Sequence, residues 1–283
     1  MLVKAVGYGA DAVIVDLEDS VPVAQKASAR QILQGLPDSP VAYYVRTNAV
    51  TTSYFWDDLV AVGRSVAVGV IIPKAEDPEW VTRVDGALTV LERLQGRPEG
   101  DITLIPLIES AAGVRLTFEL ASASTRVECV LFGGGEQGDL VADLGVEWTP
   151  EGTGLMYARS QVLLGARAAG VQYPMEAVFM DFRNLAALRV ECLLARSLGY
   201  TGKLAIHPAQ IPVINEVFTP APDAVAYQRM ILAAFEEAER KGQASIDVDG
   251  KMIDYAVARV ARAVIERASA AEQARQGRNR DKE

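Results

Sequence analysis

Short apolar runs, each followed by polar residues and then by a segment with helical spacing, recur along the chain. The runs cover residues 11–19, 41–48, 67–76, 102–110, 128–136, 176–181 and 203–208. They are near-continuous stretches of valine, isoleucine and leucine, which is typical of strands buried on both faces of a parallel sheet. The segments between them, such as 77–94 and 113–123, have the spacing of helices. This alternation predicts a barrel or a doubly wound α/β sheet.

The number of runs bears on which of these two folds is expected. A closed (β/α)₈ barrel, the TIM barrel, has eight strands, one more than the runs found here. Residues 1–10 (MLVKAVGYGA) have the pattern of the end of a helix that leads into the first run. We therefore expect an α/β fold of the TIM-barrel type, lacking its first strand in this chain, over residues 1–219.

The pattern changes after residue 208. Residues 220–241 form a long amphipathic segment whose start is marked by proline, as is typical of helices. Residues 243–254 contain glycine in a loop or hairpin pattern, and 255–268 have the spacing of another helix. No linker-like segment sets these residues apart. We predict that residues 220–283 form a helical extension with a lid segment, packed on the barrel or on a neighbouring subunit.

Composition narrows the class of protein. The 283 residues are 50% hydrophobic and 23% charged, which is typical of a globular chain. A net charge of −9 argues against a nucleic-acid partner, because such binding uses clustered Lys and Arg. The longest apolar stretch, residues 66–73, is too short to span a bilayer, and no signal peptide is visible. Cys129 and Cys192 form no CxxC pair. We expect a soluble, cytoplasmic protein that binds no membrane.

Charged residues gather at the C-terminal ends of the predicted strands. In a barrel, these ends and the loops after them build the active site. One strand-end carboxylate taken alone is more often a helix cap or a solvated loop residue. Here many such residues share one end, and chance would scatter them. They are Asp16, Glu18, Asp19, Arg46, Lys74, Glu109, Glu136, Asp139 and Asp181.

This cluster of carboxylates predicts a metal site led by Glu109. Carboxylates that converge on one point repel each other unless a cation neutralises them. Oxygen ligands without support from His or Cys favour Mg²⁺, or Mn²⁺, over zinc. An ion held by one or two carboxylates keeps positions open for water or for a chelating substrate. Arg46 nearby would stabilise negative charge that develops on a carbonyl oxygen.

Two further motifs point to other chemistry but receive little weight. Gly133, Gly135 and Gly138 form a GxGxxG pattern after a strand, as in dinucleotide-binding proteins. The turn-rich residues 144–154 that follow offer no second strand, which that unit requires. His207 is the single histidine and precedes a proline at a strand end. It is expected to be a hydrogen-bonded structural residue, because nothing places a nucleophile beside it.

A series of segments, in order and over nearly the whole chain, resembles one known family. The segments are GADAVIVDLEDSVP, KASAR, VRTN, IIPKAE, PLIES, DLVADLG, LGYTGKLAIHPAQI and VDGKMID. They resemble the citrate lyase β-subunit-like branch of the HpcH/HpaI aldolase family. The resemblance implies a homo-oligomeric TIM-barrel lyase, a trimer or hexamer, that uses Mg²⁺. Its substrates would be CoA thioesters such as malyl-, citramalyl- or citryl-CoA, split reversibly by Claisen chemistry into an acyl-CoA and a 2-oxo acid.

The same resemblance implies roles for individual residues of these motifs. The Glu of PLIE, Glu109, and the Asp of DLVADLG, Asp139, would bind Mg²⁺. The spacing of FGGGEQGD leaves Glu136 as the alternative second ligand. Asp139 is favoured because the residues after it match the family without a gap. Arg46 of VRTN would bind substrate and stabilise its charge.

Four more positions complete the predicted site. Glu18 and Asp19 would orient metal-bound water, and Lys74 is grouped with them as a residue near the substrate. Asp254, in the GKMID segment, would reach the site of a neighbouring subunit as an acid or base. All four assignments follow from the resemblance and from the position of these residues at loop and strand ends.

Alternatives to the lyase remain open at this level. A pyruvate-class aldolase acting on free oxo acids relies on a histidine early in the barrel, which this chain lacks. Hydrolysis of the same thioester after condensation is a related possibility. The absent strand motivates a third hypothesis, in which the barrel is a non-catalytic subunit or binding protein.

Overall fold

The computed structural model describes residues 2–149 and 151–280. Seven parallel strands form one sheet and pair in chain order. They are β1 (Ala12–Asp16), β2 (Ala42–Arg46), β3 (Gly69–Ile72), β4 (Thr103–Ile108), β5 (Cys129–Phe132), β6 (Tyr173–Glu176) and β7 (Gly202–Lys203). A doubly wound sheet reverses its strand order, whereas a barrel wall keeps it. The fold is therefore of the TIM-barrel type, as predicted.

One short helix precedes β1, helices follow the strands of the sheet, and further helices lie after β7 in the sequence. They are α1 (Leu2–Ala5), α2 (Lys26–Gln34), α3 (Phe55–Gly63), α4 (Pro78–Gln95), α5 (Ala111–Arg115), α6 (Thr117–Ser122), α7 (Asp139–Leu144), α8 (Met156–Ala168), α9 (Leu185–Leu198), α10 (Ile211–Phe218), α11 (Pro222–Arg240) and α12 (Tyr255–Arg280). None of the described helices combines the length and the apolar character that a membrane span needs.

The inside of the curled sheet is filled by apolar side chains from every strand. Because strand residues alternate between two faces, every second residue contributes to this cluster. The cluster comprises Ile14, Tyr44, Ile71, Ile105, Leu107, Cys129, Leu131, Met175 and Leu204. Gly69 makes room in it, since a Cβ there would lie 2.5 Å from the Tyr44 ring and from Thr103 Oγ1. The interior is thus filled by side chains and leaves no room for a substrate, so a binding site is expected at an end of the sheet.

The predicted position of the sixth strand, residues 176–181, was wrong. The strand is Tyr173–Glu176, and Glu176 is its last residue rather than its polar start. Glu176 is 1% exposed and pairs with Arg159 and Lys203, so its charge is neutralised inside the protein. Because a charged residue with a buried partner interrupts the apolar run, a search for apolar runs misplaces the strand that contains it.

Contacts divide the chain into two compact units, Met1–Asn215 and Glu216–Glu283. The second unit contains α11, α12 and an antiparallel hairpin formed by β8 (Ser245–Val248) and β9 (Lys251–Asp254). Its core comprises Ile231, Phe235, Ile253, Ala258 and Ala261. The predicted helical C-terminal part is present. The roles expected for residues 1–219 as catalytic barrel and 220–283 as lid-bearing extension stay predictions.

Candidate active site

The carboxyl ends of β1, β2 and β4 carry the polar side chains of the candidate site. Asp16 and Arg46 are register partners on the neighbouring strands β1 and β2. Glu109 directly follows β4 and continues the inward series of Ile105 and Leu107. The apolar interior of the sheet therefore ends in charged residues at the edge where barrel enzymes place their chemistry.

Arg46 is held in one orientation by two carboxylates. Its Nε and Nη2 donate to Asp16 Oδ1 and Oδ2 at 2.8 and 2.7 Å, a bidentate pair. Its Nη1 lies 3.1 Å from Glu18 Oε2. Burial raises the pKa of Asp16, but the bonds from Arg46 outweigh it and lower that pKa to about 2. The guanidinium is thus a fixed cation at the mouth of the barrel.

Glu109 is buried, and its surroundings are shaped to hold it. Its Oε1 accepts the backbone N–H of Lys74 at 2.8 Å. Lys74 has φ of +50°, a left-handed conformation that costs free energy in a residue other than glycine. Gly133 lies against the other side, where a Cβ would come within 2.6 Å of Glu109 Cβ. Burial, with the charges of Glu18 and Asp139, raises the pKa of Glu109 to about 7.

Glu18 is the second buried carboxyl of the site, with 5% of its surface exposed. Burial raises its pKa to about 7, although Arg46 and Lys74 act in the opposite direction. Its Oε2 is buried and has no hydrogen-bond partner among the described residues, in spite of the ion pair with Arg46. Glu18 therefore keeps one buried oxygen without a hydrogen-bond donor, even though two cations lie near it.

Lys74 connects Glu18 to Asp139. Its Nζ lies 3.8 Å from Glu18 Oε1 and 3.3 Å from Asp139 Oδ2. Asp139 is the first residue of α7, and its side chain is half exposed. The ammonium group thus occupies a point between carboxylates that arise from different strand ends.

Three other predicted site residues lie outside the group formed by Arg46, Glu18, Glu109 and Lys74. Glu136 is in the turn after β5, and it is Asp139 whose charge contributes to the raised pKa of Glu109. Asp19 is exposed, and its charge adds to the raised pKa of Glu18. Asp254 belongs to the second unit, where its Oδ1 accepts the N–H groups of residues 256 and 257 at the start of α12. The choice between Asp139 and Glu136 as the partner of Glu109 stays a prediction.

Sequence reasoning gave no role to several residues that shape the site. Asp16 was noted as a charged residue, but its bidentate hold on Arg46 follows only from the register of β1 and β2. Lys26 and Asn48 bind the backbone that carries Glu18. The cap of α5 is Ser110, which accepts Gly113 N–H at 3.1 Å, so Glu109 is not needed there. The alternation of side chains along each strand was the signal that could have paired Asp16 with Arg46.

The sequence of the chain matches one family model and is similar to several known proteins. A family model described as HpcH/HpaI aldolase/citrate lyase matches residues 1–208. Citrate lyase subunit beta of Escherichia coli (strain K12) is 34% identical over 265 residues, which are 92% of this chain and 86% of that protein. A (3S)-malyl-CoA thioesterase of Cereibacter sphaeroides (strain KD131) is 33% identical over 257 residues, 89% of this chain and 85% of that protein.

A solved structure shares both fold and sequence with the chain. It is CitE from Mycobacterium tuberculosis in complex with magnesium, acetoacetate and coenzyme A. The TM-score is 0.74 at 31% identity, over 94% of this chain and 92% of that one. The shared fold agrees with the chain-order sheet of this protein. The chain belongs to the HpcH/HpaI aldolase/citrate lyase family.

Proposed function

We propose that the protein is a Mg²⁺-dependent carbon–carbon lyase acting on a 3-hydroxyacyl-CoA thioester of the malyl-, citramalyl- or citryl-CoA type. The products are an acyl-CoA and a 2-oxo acid, and the reaction is reversible. The observation that carries the proposal is the pair of buried carboxyls, Glu18 and Glu109, that faces the fixed cation Arg46. The magnesium, acetoacetate and coenzyme A bound by CitE support it.

The site fits a divalent cation with few protein ligands. Among residues 2–149 and 151–280, no three or more His, Cys, Asp and Glu side chains are grouped to hold a metal ion. Mg²⁺ suits such a site, because it is usually bound by one or two carboxylates and keeps several waters. The buried Glu18 Oε2, which has no hydrogen-bond donor despite its ion pair with Arg46, and the raised pKa values of Glu18 and Glu109 support a divalent cation at this position. Glu109 and Asp139 would hold it, and Mn²⁺ would serve in its place.

Each residue of the site has its own role in the cleavage of the thioester. Glu109 and Asp139 would place Mg²⁺ where it would act as a Lewis acid on an oxygen of the acid part of the substrate. Arg46, kept in place by Asp16, stabilises the charge that develops on a carbonyl oxygen as the carbon–carbon bond breaks. Glu18 and Asp19 orient water at the site. As the substrate hydroxyl loses its proton and becomes the carbonyl of the 2-oxo acid, the electron pair of the carbon–carbon bond passes to the thioester enolate. The enolate then takes up a proton at carbon to give the acyl-CoA.

Asp254 is our candidate for the group that moves this proton, supplied by a neighbouring subunit of a homo-oligomer. A carboxyl held within hydrogen-bond reach of a reacting group can give or take a proton there. The hydrogen bonds that cap α12 both use Oδ1, so the cap fixes the direction of the carboxylate. The proposal includes a trimeric or hexameric assembly and a cytoplasmic location.

The test is a panel of malyl-, citramalyl- and citryl-CoA, assayed with and without Mg²⁺. We expect one of these thioesters to be cleaved in the presence of Mg²⁺ only. Glu109→Ala should bind Mg²⁺ weakly and lose activity. If no thioester is cleaved while Glu109→Ala binds Mg²⁺ as the wild-type protein does, the proposed function is wrong.

A thioester hydrolase is the second candidate, because one relative bears the name (3S)-malyl-CoA thioesterase. Hydrolysis would release free CoA and leave the hydroxy acid intact, whereas lysis releases an acyl-CoA and a 2-oxo acid. Chromatography of the products from malyl-CoA distinguishes the two reactions. Free CoA beside intact malate would favour the hydrolase.

A further inference from the structure

Lys26 is a buried lysine whose ammonium group is hydrogen-bonded to backbone carbonyl oxygens and not to a carboxylate. It is the first residue of α2 and is 8% exposed. Its Nζ donates to the carbonyl oxygens of Leu17 and Glu18 at 2.8 and 2.7 Å. Within the described part of the chain, Lys26 has no ion pair. Burial of an ammonium group is costly, so these two bonds compensate for the loss of water at this position.

The two carbonyls belong to the residues that lead from β1 into the site. Leu17 N–H donates to Arg46 O at 2.9 Å, which prolongs the pairing of β1 with β2. Leu17 O also accepts a bond from Asn48 Nδ2 at 3.0 Å. Glu18 N–H donates to Asp16 Oδ1 at 3.0 Å. The backbone on both sides of the Glu18 side chain is therefore fixed by hydrogen bonds.

Asn48 is in turn held by a buried acid. Its backbone N–H and its Nδ2 donate to Asp58 Oδ2 at 2.8 and 2.6 Å. Asp58 is fully buried and forms an ion pair with Arg30 from α2 at 2.9 Å. One helix thus supplies two cations to this network, and of these Lys26 directly binds the residue that carries the site carboxyl.

We propose that Lys26 is a positioning residue of the active site, which fixes the Leu17–Glu18 backbone so that the Glu18 carboxylate faces Arg46 and the metal position. The inference rests on the proposed function, because it assigns Lys26 an effect on Mg²⁺ affinity. Lys26 acts through Glu18 and has no contact with the substrate in this scheme. Groups that orient the surroundings of a metal commonly change its affinity by 10- to 100-fold, and an indirect effect of about tenfold is expected here.

The experiment measures Mg²⁺ dissociation constants by calorimetry for the folded wild-type protein, Lys26→Met and Lys26→Arg. Lys203→Met is the matched control, since Lys203 is also buried but pairs with Glu176 and Glu191. We expect about tenfold weaker binding for Lys26→Met and partial recovery for Lys26→Arg. Lys203→Met should lower the melting temperature and leave the dissociation constant unchanged.

A double-mutant cycle separates positioning from a general structural role. If Lys26 acts through Glu18, the effects of Lys26→Met and Glu18→Ala on the dissociation constant are not additive. Wild-type Mg²⁺ affinity in Lys26→Met, or additive effects, would overturn the inference while leaving the proposed function intact. Absence of Mg²⁺ binding in the wild-type protein would instead overturn the proposed function and this inference with it. If Lys26→Met does not fold, Lys26→Gln is measured against the same two outcomes.

Discussion

Two buried carboxyls, Glu18 and Glu109, dominate the site at the scale of single residues. Each has a pKa raised to about 7, first because burial disfavours the charged form and then because other carboxylates lie near. Arg46 and Lys74 compensate only in part. A divalent cation supplies the charge that these side chains lack, which is why the metal proposal begins with them.

The first prediction concerns pH. Both groups have a higher pKa in the folded protein than the usual value near 4.5, so the folded state binds more protons between pH 4.5 and 7. The metal-free protein should therefore lose stability as pH rises through this window, by less than the roughly 3.4 kcal/mol per group that a shift of this size gives without solvent screening. Bound Mg²⁺ displaces these protons, so its stabilising effect should increase with pH and level off above pH 7.

Thermal melts between pH 5 and 8.5, with and without Mg²⁺, measure both effects. Glu109→Gln is the control, because it keeps the shape of the side chain without titrating. A gain in melting temperature from Mg²⁺ that does not change with pH would contradict the account of these two carboxyls.

The second prediction concerns the geometry of Arg46. Arg46→Lys keeps the positive charge but loses the bidentate pair with Asp16. We expect kcat to fall by roughly 10²- to 10³-fold, the range for removing one donor that stabilises developing charge, with little change in Mg²⁺ affinity. Asp16→Asn should lower kcat less, because Arg46 would remain but lose its fixed orientation. Equal kcat values for Arg46→Lys and the wild-type protein would exclude this role.

At the scale of elements, each strand delivers its functional residue by simple alternation. Once β1, β2 and β4 were recognised as strands, their last inward residues had to share one end of the sheet. That much followed from apolar runs alone. The left-handed turn at Lys74 and the pairing of Asp16 with Arg46 did not, since both depend on strand register and loop conformation. β6 was misplaced because the charge of Glu176 is neutralised by a buried partner from α8.

The third prediction concerns the start of α12. Asp254 caps this helix, and asparagine is a comparably good cap. Asp254→Asn should therefore leave the melting temperature unchanged while kcat falls by roughly 10²- to 10⁴-fold through loss of acid–base catalysis. Asp254→Ala should lose both functions, with a cost in stability of about 1 kcal/mol. If Asp254→Asn retains full kcat, Asp254 contributes only to the helix.

At the scale of the whole molecule, the sheet order from β1 to β7 and the two compact units separate the metal residues from Asp254 along the chain. Because the net charge of the protein is −9, an anionic thioester is attracted only where cations such as Arg46 and Lys74 lie at the surface of the site. Under the proposed function, Asp254 acts in the site of a neighbouring subunit.

The fourth prediction tests such sharing between subunits. Glu109→Ala and Asp254→Asn are produced together with different tags, and the mixed oligomers are purified. If each site takes Asp254 from a neighbour, some sites regain both wild-type residues and activity rises above that of either variant. Glu109→Ala combined with Asp139→Asn is the control, because both changes affect one subunit's metal position. A mixed Glu109→Ala and Asp254→Asn sample that shows only the mean of the separate activities would argue against a shared site.

Under the proposed function, Glu109 and Asp139 hold the metal at the mouth of the barrel. Anomalous diffraction from crystals grown with Mn²⁺ and a 2-oxo acid tests it directly, because it locates the ion independently of activity. We expect one peak within about 2.2 Å of carboxylate oxygens of both residues, close to the usual distance for Mg²⁺. A peak bound by Glu136 in place of Asp139, or no peak near Glu109, would contradict it.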